Sequence, residues 1–214
     1  MSLPRRTIVL ATGNPGKLRE IKAVLGELPV DVVGLGGCGP IPEPPEEADT
    51  FAANARDKAL HYARATGQWC LADDSGLVVD ALGGLPGVRS ARYAAERCQA
   101  GAGRACLDPA NNAKLLEALR DVPDPRRTAR FVCHLALADP QRVLLEADGA
   151  IEGLIGHAPR GDNGFGYDPL FIVPALGCTT AQLPEAEKNR ISHRGQAVRS
   201  FRDKLRQLLR QCPT

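Results

Sequence analysis

Apolar residues along this chain change period several times, and each change marks an element. Residues 7–12 form a short β-branched and apolar run that predicts a buried strand. After Gly13-Asn14-Pro15-Gly16-Lys17 the spacing becomes helical, with Leu18, Ile21, Leu25 and Leu28 on one face. Asn14 suits the N-cap of that helix and Pro15 its first position. Residues 30–35 predict the next strand. A Gly/Pro-rich acidic stretch then leads to Thr50, a cap for a helix over 51–65 with Gly67 as its stop signal. Two strands are expected at 69–73 and 77–80, separated by a turn at Asp74-Ser75-Gly76. Asp108 and Pro109 are expected to cap a helix carrying Leu115, Leu116 and Leu119. Residues 128–138 alternate, with Phe131, Cys133, Leu135 and Leu137 facing one way, and 142–155 return as the second arm of a long hairpin. A glycine-rich loop over 156–166 precedes a strand at 171–173. Helices near 185–191 and 195–211 close the chain, the last with Ala197, Phe201, Leu205 and Leu208 on one face. The fold class is α/β, a mixed sheet into which an antiparallel hairpin is inserted.

Composition narrows the class. With 214 residues, 43% of them hydrophobic, the chain can bury a sizeable core as one large domain or two closely joined lobes. A net charge of +2 excludes an acidic solvating tail and argues against a general nucleic-acid binder. The seven cysteines are widely spaced without a Cys-x-x-Cys pair, and the four histidines show no metal-type pairing. These features, with no export-type apolar segment or membrane-length run, lead to the expectation of a cytoplasmic protein. Gly (22) and Pro (17) exceed ordinary usage, so specialised loops should carry the chemistry.

Four loops do so. Thr12-Gly13-Asn14-Pro15-Gly16-Lys17 joins a strand to a helix start, where backbone N–H groups, the dipole and Lys17 suit phosphate oxygens; a capped helix with a solvated lysine is the plainer reading. It is not a Walker A loop, because Leu18 stands where a Ser or Thr would hold magnesium. Gly34-x-Gly36-x-x-Gly39 matches a dinucleotide fingerprint only literally, since Pro40, Pro42, Pro44 and Pro45 deny it a helix start. Asp73-Asp74-Ser75-Gly76 offers paired hard-oxygen ligands and a base for water. In Gly164-Phe165-Gly166-Tyr167-Asp168-Pro169, Phe165 could stack on a base and Asp168 could meet its edge. Lys188 and Arg194 are donors suited to a base carbonyl or a phosphate.

In this order the segments resemble the inosine triphosphate pyrophosphatase family, over the chain from Ile8 to about Phe201. The most specific pieces are the 12–17 loop, Thr50-Phe51-x-x-Asn54-Ala55-x-x-Lys58-Ala59, residues 72–77 with Pro86-Gly87-x-x-Ser90-Ala91-Arg92-Tyr93, residues 164–169, and Ser192-His193-Arg194-Gly195. The resemblance implies that Thr12, Gly13, Asn14, Pro15, Gly16 and Lys17 bind triphosphate. It implies Asp74 as proton acceptor and Mg²⁺ ligand, Glu46 as a second ligand, and Ser75 as a substrate contact. Phe165, Gly166, Tyr167, Asp168, Lys188, His193 and Arg194 would form the base site. The implied fold is a single domain over 1–214, a long mixed central sheet with flanking helices in two lobes around an active-site cleft, assembled as a homodimer.

Two departures stand out. The family commonly has Glu-Thr-Gly before its Thr-Phe pair, whereas this chain has Glu46-Glu47-Ala48-Asp49, leaving Glu46 or Glu47 as the acid. Ala53 also replaces a usual glutamate. The expected activity is Mg²⁺-dependent hydrolysis of ITP, dITP or XTP to the monophosphate and pyrophosphate. The alternatives are a pyrophosphatase for modified pyrimidine nucleotides and a non-catalytic nucleotide-sensing module; the paired Asp73-Asp74 argues against the second.

Overall fold

The computed structural model describes residues 5–13 and 15–211. Its strands are β1 (Arg6–Leu10), β2 (Val30–Gly34), β3 (Trp69–Val79), β4 (Thr128–Ala138), β5 (Val143–Ile155), β6 (Phe171–Val173) and β7 (Cys178–Thr179). Its helices are α1 (Pro15–Leu25), α2 (Phe51–Thr66), α3 (Arg104–Ala118), α4 (Glu185–Ile191) and α5 (His193–Gln211). The sheet order is β2-β1-β3-β4-β5-β6-β7. The chain forms two compact units. The first comprises residues up to Asp74, 133–149, and Gln196 onward; the second comprises 75–132 and 150–195.

In the first unit, β1 pairs in parallel with β2 and β3. Strand alternation sorts its apolar residues into two clusters. Ile8, Leu10, Leu71, Cys133, Leu135 and Leu137 pack with Ile21 and Leu25 of α1 and with Ala197, Phe201 and Leu205 of α5. Val9, Ala11, Cys70, Ala72, Ala136 and Ala138 pack with Ala55, Ala59, Tyr62 and Ala63 of α2. With apolar neighbours on both sides, these strands read as near-continuous apolar runs rather than clean alternations. Each fully buried Leu or Phe here contributes roughly 1.5–3 kcal/mol. Thr50 caps α2 by accepting from the Ala53 N–H at 3.1 Å, and Gly67 ends it at φ 68°.

The second unit packs Leu77 and Val79 with Leu115 and Leu119 of α3, and with Phe131, Ile155, Tyr167, Leu170 and Phe171. β6 runs antiparallel to both β5 and β7. Arg127 is 2% exposed. It is tolerated because its guanidinium donates to the carbonyls of Leu119, Ile155 and Gly156 at 2.6, 2.8 and 2.9 Å.

Three expectations need correction. Asp74-Ser75-Gly76 makes no turn: β3 runs through them as one strand. Buried residues on either side, 70–72 and then Leu77 and Val79, keep these turn-forming residues extended. Second, α3 begins at Arg104 with Gly103 as N-cap, so Asp108 and Pro109 lie inside it and Asp108 is released for another contact. Pro109 gives up one helical N–H. Third, α5 begins at His193 rather than at residue 195, which takes His193 and Arg194 out of the loop between the helices and into its first turn. No described helix is long and apolar enough to cross a membrane.

Candidate active site

In the first unit, the chain leaves β1 through half-buried Thr12 and exposed Gly13, then enters α1 at Pro15, Gly16 and Lys17. Asn14 lies outside the described residues. The start of α1 presents N–H groups at the positive end of the helix dipole. Lys17 Nζ donates to Asp73 Oδ1 and Oδ2 at 3.0 and 2.7 Å. The Asp73 side chain is only 2% exposed and that of Lys17 16%, so each offsets the burial of the other.

Asp74 follows on β3, half-buried, with Oδ2 accepting from Asn54 Nδ2 at 3.0 Å. Asn54 is 3% exposed, and its Oδ1 accepts from the Ala48 N–H at 3.0 Å. One amide therefore ties both Asp74 and the acidic loop to α2. One turn further along α2, Lys58 donates to Glu46 at 2.9 Å and Glu43 at 3.4 Å. Burial alone would lower the Lys58 ammonium, but the Glu46 hydrogen bond and the charges of Glu46, Glu43 and Asp73 outweigh it and raise its pKa. Glu46 is half-buried and Glu47 exposed, so the acid gathered against α2 is Glu46.

In the second unit the aromatic pair splits. Phe165 is 42% exposed, whereas Tyr167 is buried with its hydroxyl donating to the Ser90 carbonyl at 2.9 Å. Burial pushes the Tyr167 phenol far above its ordinary range. Asp168, 4% exposed, organises the loop. Its Oδ2 accepts from the Phe165 N–H at 2.8 Å and from Lys188 Nζ, and its Oδ1 accepts from Thr180 Oγ1 at 2.8 Å. Gly164, at φ +80°, leaves room for this pair: a Cβ there would collide with Asp168 Oδ2 and crowd Lys188 Nζ.

Three cations surround the exposed ring. The guanidinium of Arg104 lies 4.9 Å from the Phe165 centroid, the Lys188 ammonium 5.1 Å and the Arg194 guanidinium 5.8 Å. Arg194 Nη2 also reaches Ser75 Oγ at 3.4 Å. His193 stacks on Phe131 at 5.0 Å. Ser192 caps α5 by accepting from the Gly195 N–H at 3.0 Å, which sets His193 and Arg194 on the helix's first turn.

Several residues of these clusters escaped the reading of individual loops. Arg104, Asp108 and Asn112 all come from α3. Asp108 Oδ2 accepts from the Gly166 N–H at 2.9 Å and Asn112 Nδ2 donates to the Gly166 carbonyl at 3.0 Å. Their i, i+4 spacing is visible in sequence, but their target is more than fifty residues away. Asn54 and Lys58 have the same spacing within the quoted Thr-Phe segment, and that spacing was the available signal.

The donor set can be tested for Mg²⁺. Among the described residues no group of three or more His, Cys, Asp or Glu gathers as a metal cage. Mg²⁺ ordinarily takes one or two carboxylates and completes its shell with substrate phosphates and water. Asp74 and Glu46, both half-buried oxygen donors bound to α2 side chains, fit that pattern.

Comparison with known proteins agrees with the motif order. The sequence model of the Ham1 family matches residues 8–204. A dITP/XTP pyrophosphatase of Xanthomonas campestris pv. campestris is 48% identical over 205 residues, covering 94% of this chain and 98% of its own. One from Exiguobacterium sibiricum is 50% identical over 194 residues, covering 91% and 94%. The solved structure of a HAM1 protein from Coxiella burnetii superposes with a TM-score of 0.83 at 40% identity, covering 97% of this chain and all of that one.

Proposed function

The chain belongs to the Ham1 family, and on that premise we propose that it hydrolyses non-standard purine nucleoside triphosphates, ITP, dITP and XTP, to the monophosphate and pyrophosphate. The observation that carries the reading is the exposed Phe165 ring with Arg104, Lys188 and Arg194 within 4.9–5.8 Å of its centroid. A base stacked on that ring meets donors that never accept. A 6-oxo group satisfies them, whereas the 6-amino group of ATP sets donor against donor.

The triphosphate is assigned to the first unit. Lys17 and the N–H groups opening α1 hold phosphate oxygens, with Asp73 keeping the ammonium in place. Asp74 orients the attacking water and takes its proton. The water oxygen bonds to the α-phosphorus as the bond to the bridging oxygen breaks in line, and pyrophosphate leaves with that electron pair. Glu46 and Asp74 would hold Mg²⁺, which when bound offsets the charge of the triphosphate. Asn54 fixes Asp74, and Lys58 holds Glu46. Asp168 and Tyr167 serve the base site from behind, through the loop that presents Phe165. The proposal extends to a homodimer, as the motif resemblance implies, which light scattering on the purified chain tests.

Turnover of ITP, dITP, XTP, ATP and GTP, with pyrophosphate and orthophosphate assayed separately, tests the reaction. Pyrophosphate from the first three is expected; orthophosphate alone would overturn α–β cleavage. Activity that survives exhaustive chelation would remove the metal from the proposal.

A further inference from the structure

Cys98 and Cys106 stand side by side in the second unit, with Sγ atoms 2.7 Å apart. Cys98 closes the short turn over Ala95–Arg97, and Cys106 lies in the first turn of α3. The approach is held in place by their neighbours. Arg97 donates to both carboxylate oxygens of Glu117 at 3.0 and 2.8 Å, and Lys114 donates to Glu96 at 2.7 Å. Three consecutive residues, Glu96, Arg97 and Cys98, thus each engage a residue of α3. Between the sulfurs the chain reverses through Gly101 at φ +79°, with the Ala102 N–H donating to the Gln99 carbonyl at 3.0 Å. Cys106 is exposed and Cys98 half-buried, whereas Cys70 and Cys133 are buried.

We propose that Cys98 and Cys106 are a site of reversible oxidation, forming an intramolecular disulfide by exchange with a low-molecular-weight disulfide. One protein thiolate attacks the reagent's S–S bond, giving a mixed disulfide and expelling one small thiolate. The second protein thiol attacks the protein sulfur of that mixed disulfide and expels the other. The protein loses two electrons and two thiol protons, and the reagent's disulfide is reduced to two thiols. Hydrogen bonding with Cys106, then burial and the Cys106 and Glu96 charges, push the Cys98 thiol up, so exchange should quicken as pH rises.

The bond has a consequence for the base site. Arg104, the first residue of α3, lies in the loop between the two sulfurs, and its guanidinium is 4.9 Å from the Phe165 centroid. Closing that loop rigidifies the turn that carries Arg104, so the oxidised protein binds ITP with a lower KM. This second limb rests on the proposed function; the disulfide itself does not.

The test is to equilibrate the full chain with oxidised glutathione and map the products. Trypsin cuts after Arg97 and Arg104, so it places the two cysteines in separate peptides unless a disulfide joins them. The expected result is the joined pair, lost in Cys98→Ser and in Cys106→Ser. Separate glutathione adducts, bonds to other cysteines, or unreacted thiols would overturn the site. Oxidation should lower the KM for ITP several-fold in the native chain and leave it unchanged in Cys98→Ser. A mapped disulfide with unaltered KM refutes the coupling to Arg104. If the chain turns over no nucleotide in either state, the proposed function fails while the peptide map still decides the site.

Discussion

The two units arrange their charged residues in different ways. In the first, each residue assigned to phosphate or metal is held by a side chain that is not: Lys17 by Asp73, Glu46 by Lys58, and Asp74 by Asn54. In the second, the exposed group is an uncharged ring, and the backbone around it is held by side chains at three points. Asp168 takes the Phe165 N–H, and Asp108 and Asn112 take both polar groups of Gly166. Charges that must meet a triphosphate or its metal are thus held by ammonium, carboxylate or amide partners that can be exchanged. A stacking platform has no charge to store, and its precision comes from the loop beneath it.

The contrast can be broken at its strongest point first. Asp74→Asn keeps the hydrogen-bonded shape but removes the base, and should cut ITP turnover by roughly 10²–10⁴-fold with an unchanged melting curve. Near-native turnover would return Asp74 to a structural part. Lys17→Met leaves Asp73 buried without this partner and should destabilise the fold by about 3–5 kcal/mol in urea. Adding Asp73→Leu should recover most of that loss; a double variant no more stable than the single would show that the pair is not the storage device. Phe165→Ala, on the other side, should leave stability nearly unchanged while costing about 1–3 kcal/mol of stacking, seen as a higher KM for ITP. The smallest effect is expected for Asn112→Leu, about 1 kcal/mol through one lost hydrogen bond to the Gly166 carbonyl. It should raise KM with little change in kcat. A loss confined to kcat would contradict a role in positioning the ring.

Legibility followed the range of the interactions. The α1 face of Ile21 and Leu25, the Thr50 cap and the Gly67 stop all rest on residues within a turn or two, and they stand where the spacing predicted them. The family was equally readable, because it depends on several short segments in a fixed order. Asp74-Ser75-Gly76 was not: its residues favour a turn in isolation, and only the buried neighbours on both sides hold it extended. Asp108 looked like a cap because Asp-Pro is a good helix start, and the four residues before it carry no apolar periodicity to show that the helix had already begun.

By itself the sequence determined most of the element order, most helix boundaries, the family and the loops that carry chemistry, since these depend on local spacing and residue type. Tertiary structure alone decided which side chains serve each other. It set Tyr167 in the core and Phe165 at the surface, spent Asp168 on Lys188 and Thr180, and brought Arg104, Asp108 and Asn112 of α3 to the aromatic loop. Those choices join residues far apart in the chain, and burial and hydrogen-bond satisfaction select among them only once the elements have packed.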